Sequence, residues 1–595
     1  MRYTSIVLVV VALLGLAAAA NAQIVPGAVA LPDSITGTRV LSADSVYQLV
    51  NTVKVGPGAL ISIPPGTIIY GNANGVRSCL QIERGGKIYA RGTPTAPIIF
   101  TSAKPQGQRA PGDWGGVILL GRANVNPTGD SAIIEGGTNG IFGGTDDADS
   151  SGVMEYVRIE YGGLAFAVDN EINGLTFGGV GNRTVIDHIQ CSYINDDSFE
   201  WFGGDVNCKY LIAFAGVDDD IDTDNGFRGH LQFIFAFRDS LESDLSASSS
   251  SNGFEADNDA TGSANTPISK PIVSNATMVG PFRDTNEATW GQDFARGAHI
   301  RRNTDYGIFN TVITGWPEIR IDGTGENPAC PQSSDLVFEN VVITGKSTEI
   351  VAAGGAVQAT CDQWFDCAGA NNLRAGNHAA AMLTAVTQAN LHNPDPRPAA
   401  GSPVGTGASF TNALLGAGNN FTFQNVSYKG AFDPSVARDQ QWDMPWSNYD
   451  PQSTTYVKLR QGWNLVGLAN TPTNNDKNVV FPNNGSNAFR YNNGYTVDNT
   501  LDAGVGYWVL LNDNAAVEQT GATVSLPRTV SVSAGWNLVC TGASVPATVA
   551  NTTATGTHVN SVFGFNNGYT TAITLEPGKA YWINVTTAGT LTFNP

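Results

Sequence analysis

Between Ile189 and Gly226 one phrase is written twice, as IQCSYINDDSFEWFGG (189–204) and LIAFAGVDDDIDTDNG (211–226). Superimposed, Ile189 falls on Leu211, Asp196 on Asp218, Asp197 on Asp219, Phe199 on Ile221 and Gly204 on Gly226, each 22 residues further on. A constant offset marks one structural unit used twice. Apolar residues alternate within the unit, an acidic turn follows, and a second short apolar run closes on glycine. A period of two, punctuated by Gly, Asn and Asp, predicts short strands joined by turns. So small a unit cannot bury its own inward face. It must stack on neighbours, with strands of successive units pairing in parallel about 4.8 Å apart, which makes an all-β solenoid.

At 595 residues the chain is too long for one compact core, which agrees with a repeat array followed by further domains. Its net charge of −20 repels nucleic acid and anionic membranes, so neither is an expected partner. Residues 1–22 read as a secretory signal peptide: Arg2, an apolar run from Ile6 to Ala20, then Ala20-Asn21-Ala22 before Gln23. The expected location is therefore outside the cell or on its surface. No later stretch is long and apolar enough to span a membrane. Seven cysteines in an exported chain permit disulfides, and the odd count leaves one unpaired or shared between chains. A bridge is expected among Cys330, Cys361 and Cys367. Cys191 and Cys208 either tie the ends of the first acidic unit or lie as small apolar residues inside the coil. There is no CxxC pair to suggest zinc, haem or thioredoxin chemistry.

Rungs precede the acidic phrase, in VGPGALISIPPGTIIYG (55–71), LQIERGGKIYARGTPTAPIIFTS (80–102) and DWGGVILLGRANV (113–125). Together with SGVMEYVRIEYGG (151–163), NGFEADND (252–259), GAHIRRNT (297–304) and YKGAFDP (428–434), these resemble a family of exported right-handed parallel β-helix proteins, mostly uncharacterised, from environmental bacteria. The resemblance implies the fold and an extracellular setting. It implies little about activity.

The solenoid is expected over 23–359. Asn126 to Gly152 reads as a surface insertion and Asp239 to Lys270 as a second excursion. Within 360–450, HAAAMLTAVTQANLH (378–392) reads as a helix, and this region is expected to cap the open last rung. A second repeat fills 451–595: GWNLVG (462–467) recurs as GWNLVC (535–540), and NNGY (492–495) recurs at 566–569, an offset of 74. These strand-rich units resemble C-terminal modules of bacterial secreted and surface proteins. Trp463, Tyr495, Trp536 and Tyr569 are conserved between the copies, as packing alone would require, so they read first as core. The second reading makes them flat faces for sugars.

Chemistry is expected on the acidic face. The offset stacks Asp196 and Asp197 beneath Asp218, Asp219 and Asp220, and at about 5 Å two carboxylates repel by roughly 3 kcal/mol in an effective dielectric near 20. Three arrangements relieve this. The side chains can cap turn amides. A hard cation can bridge Asp196, Asp218, Asp220, Asp222 and Asp224, for which Ca2+ suits the oxygen donors. Or one carboxyl can stay protonated, as in a glycosidase acid. The run from Asp220 to Gly226 is not an EF-hand, because its glycine is one place late and Leu231 stands at the twelfth position.

Architecturally similar β-helix proteins include pectin-degrading enzymes. Against the polygalacturonase pattern, this chain offers Asn195-Asp196-Asp197, Asp218-Asp219 and Arg228-Gly229-His230, which makes Asp197, Asp218, Asp219 and His230 catalytic candidates. It lacks the threonine of the first motif, and Asp322 stands where a lysine belongs. A lyase would need a positioned basic residue such as Arg228, Arg301 or Arg302. The preferred expectation is a non-enzymatic surface or adhesive protein binding polysaccharide or calcium. A carbohydrate-active enzyme and a self-assembling filament or coat subunit are the alternatives.

Overall fold

The computed structural model describes residues 25–166, 170–244, 250–281, 294–323, 325–326, 328–332, 335–345 and 350–595. The expected signal peptide, residues 1–22, lies outside these. Residues 28–375 form a right-handed parallel β-helix of two long sheets. One sheet runs through Thr52–Val55, Cys79–Ile82, Val117–Leu120, Leu175–Val180, Phe199–Gly204, Ile221–Asp224, Phe254–Ala256, Phe294–Arg301, Glu318–Asp322 and Ile350–Ala353. We call it the flat sheet. The other is built from longer strands that turn a corner, among them Gly152–Glu160, Val185–Ser192, Asn207–Phe214, His230–Phe237 and Ile272–Val279.

The 22-residue offset is the register itself: Ile189 lies opposite Leu211 and Phe199 opposite Ile221, all in parallel. Leu175, Phe177, Phe199, Trp201 and Ile221 point inward and belong to one continuous core, with Phe177 and Trp201 stacked at 5.0 Å. The closing glycines are required by backbone. Gly204 has φ 81° and Gly226 φ 86°, and a Cβ on Gly204 would sit 2.5 Å from the Val180 carbonyl oxygen. At the corner of the bent sheet, Tyr156, His188, Tyr210, Phe233 and Asn275 all take φ between 51° and 62°. Such a conformation costs a bulky residue of order 1–3 kcal/mol. The register stacks these side chains, with Tyr156–His188 and His188–Tyr210 at 4.3 Å and Tyr210–Phe233 at 5.0 Å, which offsets part of that cost.

The coil's far end is closed by the helix Gln358–Phe365, whose Cys361, Trp364 and Phe365 enter the core. Trp364 Nε1 donates to the Leu336 carbonyl at 3.0 Å. The helix expected at 378–392 is not formed: His378–Ala381 and Gln388–Asn390 are single 3-10 turns, and Leu383–Ala385 pairs antiparallel with Asp395–Pro398. Met382 at φ 50° interrupts any helix there. Of the expected cap, 360–450, its first residues close the end as part of the Gln358–Phe365 helix. The rest runs back along the bent sheet as a strap, bonded at Ser409 to Asn310, at Tyr428 to Asn275 and at Asn448 to Gln190, and leads into a strand bonded at Thr454 to Arg109 and at Lys458 to Gly66. Val386, Leu391, Phe432, Trp446 and Tyr449 cover Ile212, Phe214, Phe235 and Phe237.

Two further expectations change. The 239–270 stretch contains a rung, since Phe254–Ala256 pairs with Ile221–Asp224 and Phe294–Arg301. The 126–152 insertion is a packed flap, its hairpin Ala132–Ile133/Ile141–Phe142 burying Ile134 and Phe142 against Ile118 and Leu120 of the flat sheet. Cys330 is bonded to Cys367. Cys79, Cys191, Cys208, Cys361 and Cys540 are free and buried, so Cys191 and Cys208 are core residues, and none of these five is placed to bridge two chains.

Residues 454–593 form two antiparallel units with separate cores, one around Val466, Tyr507 and Val509, the other around Val539, Tyr581 and Ile583. Leu465, Leu538, Cys540 and Trp582 join them. The pair docks beside the first rungs, where Tyr456 packs on Ile68 and Ile99 and donates to the buried Glu160 at 2.7 Å. Among the described residues no helix is long and apolar enough to cross a membrane.

Candidate functional site

With the bent sheet strapped, the flat sheet presents the open side face. Alternation sends Phe199, Trp201 and Ile221 inward, so Glu200 and Asp222 face outward. The register then sets Glu200 opposite Asp222, Asp222 opposite Glu255, Glu255 opposite His299 and His299 opposite Arg320. One column thus passes from acidic to basic along the coil.

The turn before this column holds a second ladder. Asn173 Oδ1 accepts from the Asp197 amide at 3.2 Å, Asp197 Oδ1 from the Asp219 amide at 2.9 Å, and Asp219 Oδ1 from the Asn252 amide at 2.6 Å. Asp197 and Asp219 therefore spend one oxygen each on the backbone of the next rung. Carboxylate oxygens of Asp196, Asp197 and Asp218 converge within 4.8 Å of one another, as do those of Asp197, Glu200 and Asp222, with Asp197 common to both groups. Asn173 Nδ2 donates to Glu135 of the flap at 2.9 Å and also to Glu200.

Burial, and then the repulsion of neighbouring carboxylates, pushes Asp196, Asp197, Glu200 and Asp222 well above the usual carboxylate range. Burial also raises Glu135 to about 7. Further along, burial works to raise Glu255, but its bond to His299 and the charge of Arg301 outweigh it and hold the carboxyl low. Arg301 is itself clamped, reaching Asp257 at 2.8 and 3.0 Å and also Glu255. Arg302 adds a bond to Asp257 at 2.6 Å.

Of the expected cation ligands, Asp196, Asp218 and Asp222 are brought together, joined by Asp197 and Glu200. Asp220 is not among them. It is fully buried and paired with Arg238 at 3.0 Å, because its side chain follows the inward phase of the turn. Asp224 stands outside both groups, accepting from the Asn225 amide at 2.5 Å and its side chain at 3.0 Å. Among the catalytic candidates, Asp197, Asp218 and Asp219 share this turn region, whereas His230 lies in the bent sheet, opposite Ile272 and stacked on Phe421 at 5.6 Å, where burial lowers its pKa to about 4. Arg228 is engaged with Asp147 at 3.3 Å. Glu135 and Glu200 were not singled out in the sequence. Glu200 was recoverable from its 22-residue register with Asp222; Glu135 arrives through the flap and carries no periodic signal.

The donor set is all oxygen and suits a hard cation such as calcium, which takes six to eight oxygens. Asp222 Oδ1 is buried without a hydrogen-bond partner, an orphan that a cation would satisfy. The four aromatic candidates are not core: Trp463, Tyr495, Trp536 and Tyr569 are 45%, 56%, 45% and 57% exposed.

A family model described as a pectate-lyase-like β-helix domain matches residues 33–386. The chain belongs to this pectate-lyase-like β-helix family. The matched span takes in every rung of the acidic face and stops where the strap begins its return. No curated protein matches this family member. Among solved structures, it is similar to the crystal structure of the Dettilon tailspike protein (gp208), with 11% identity over 94% of this chain and 87% of that one and a TM-score of 0.16.

Proposed function

We propose that this protein is an extracellular or cell-surface β-helix whose open face binds divalent cations, calcium by its donor chemistry, and through them anionic polysaccharide. The observation that carries this reading is the pair of carboxylate groups sharing Asp197, together with the orphaned oxygen of Asp222. Five carboxylates on this turn and the strands that follow it are costly when ionised and uncompensated, and a bound dication removes that cost while leaving coordination positions for a uronate carboxylate. The catalytic reading has less support, since His230 lies on the other sheet and Arg301 is held by Glu255 and Asp257.

The test is calorimetric titration of Ca2+ into the mature protein and into Asp196→Asn/Asp222→Asn, with melting curves in calcium and in chelator. Saturable binding that raises Tm in the wild type and is lost in the variant supports the site. A wild type that binds no calcium and melts identically in both buffers removes it. Release of unsaturated or reducing ends from polygalacturonate would return the enzyme reading.

A further inference from the structure

The two C-terminal units repeat not only a sequence but a set of ring contacts. In the first, Trp463 lies 5.9 Å from Phe489 and 6.4 Å from Trp508, and Tyr491 lies 5.6 Å from Tyr495. In the second, Trp536 lies 5.9 Å from Phe563 and 6.4 Å from Trp582, and Phe565 lies 5.5 Å from Tyr569. Across the junction, Tyr491 meets Trp582 at 4.9 Å and 76°, and Phe565 meets Trp508 at 4.8 Å and 76°. Each unit therefore lends one ring to the other. Tyr491 completes a hollow of about 440 Å³ lined by Trp536, Phe563, Tyr569 and Trp582. In the first unit the corresponding ring is Phe565, which meets Trp508, itself packed on Trp463, whose other ring neighbour is Phe489.

We infer that these are two equivalent carbohydrate-binding cradles, each completed by a ring from the neighbouring unit, and that they grip one glycan chain bivalently. The inference takes its ligand class from the proposed polysaccharide reading but is independent of the acidic face. Three features specify a sugar. The lining of the hollow is wholly aromatic, with no flexible aliphatic residue; rings held nearly at right angles offer flat faces to the C–H side of a pyranose. Exposed Asn492 and Asn493 precede Tyr495, and exposed Asn566 and Asn567 precede Tyr569, which places amide donors and acceptors beside each cradle for hydroxyl groups. The lining carries no charge, so recognition does not depend on an acidic ligand or a cation. Two sites on one rigid unit gain from effective concentration along a repeating polymer.

The experiment uses the whole mature chain in chelator, with tryptophan fluorescence and affinity electrophoresis against laminarin, galactomannan, xyloglucan, alginate and polygalacturonate. At least one glycan is expected to bind saturably, with a short oligosaccharide of that glycan binding at two sites per chain. Trp536→Ala and Trp463→Ala each remove one site, and the double variant binds polymer at least about tenfold more weakly. In the Trp463→Ala background, Tyr491→Ala abolishes the remaining site while Tyr491→Phe keeps it, which a role in folding alone would not produce if melting is unchanged. Asp196→Asn/Asp222→Asn leaves all of this intact, so failure of the acidic face is distinguishable from failure of the cradles. No binding to any of these glycans, or full binding by the double tryptophan variant, overturns the inference.

Discussion

Replacing Glu135 by Gln should stabilise the protein, and only above the pH at which an ordinary carboxylate ionises. Burial pushes Glu135 up to about 7, against hydrogen bonds with Glu200 and Asn173 that lower it. Its folded pKa therefore lies above its unfolded one. Below about pH 4 both states are protonated and the group is neutral in the balance; as pH rises towards 7 the unfolded chain ionises first, and stability is lost. The shift from 4.5 to about 7 corresponds to a ceiling of about 3.4 kcal/mol at 1.36 kcal/mol per unit. Glu135 keeps a minor solvent-exposed edge, and screening there reduces the usable figure to about 1–2 kcal/mol. Glutamine keeps the oxygen that accepts from Asn173, so the variant removes the charge without orphaning the amide. With an unfolding entropy of about 2.1 cal/mol/K per residue over the whole chain, the gain is about 1–2 °C in Tm. Melting curves in chelator at pH 4, 5, 6, 7 and 8 measure it. Wild type and variant should coincide at pH 4 and separate through pH 7, and saturating calcium at pH 8 should narrow the gap. A Glu135→Gln protein that is less stable at every pH, or whose advantage is already full at pH 4, would refute the electrostatic account of this face.

Two other perturbations probe the scaffold. Arg238→Met leaves Asp220 unpaired and strips donors from the Gly216 and Asn252 carbonyls, bonded at 2.7 and 2.6 Å; a loss of about 3–5 kcal/mol is expected in denaturant melts, and adding Asp220→Asn should restore part of it. Gly204→Ala forces a Cβ onto the Val180 carbonyl at a left-handed backbone position, so its soluble yield and Tm should both fall, by an amount equivalent to at least about 2 kcal/mol.

The solenoid was legible because repetition converts directly into register: Phe199 opposite Ile221 follows from the offset alone. Placement of Asp196 one rung from Asp218 followed from the same arithmetic. What the periodicity could not distinguish was the inward or outward phase inside a turn, which is why Asp220 was grouped with them although it is buried on Arg238. Composition misled at 378–392, where Ala, Leu and Gln favour helix but contact with the bent sheet imposes 3-10 turns and a short strand. Helix formation moved to Gln358–Phe365, a segment with weak amphipathic signal that is fixed by Trp364 and Phe365 entering the coil. For the repeated aromatics, conservation between copies reads as packing, yet Trp463, Tyr495, Trp536 and Tyr569 are exposed, and it is Tyr491, Trp508, Phe565 and Trp582 that meet at the junction.

The returning strap ties the number of rungs to the length of a segment remote from them in sequence. It is bonded near one end of the coil at Asn310, and the C-terminal pair into which it leads is bonded near the other at Gly66. Each additional rung would lengthen the coil by about 4.8 Å, and an extended strap gains only about 3.3 Å per residue, so the two segments must grow in fixed proportion. A duplication of one coil unit alone would pull the strap off its polar anchors or tear the C-terminal pair away from the first rungs. The strap is in effect a ruler, and it forbids the free gain and loss of repeats by which an unstrapped solenoid can change its length.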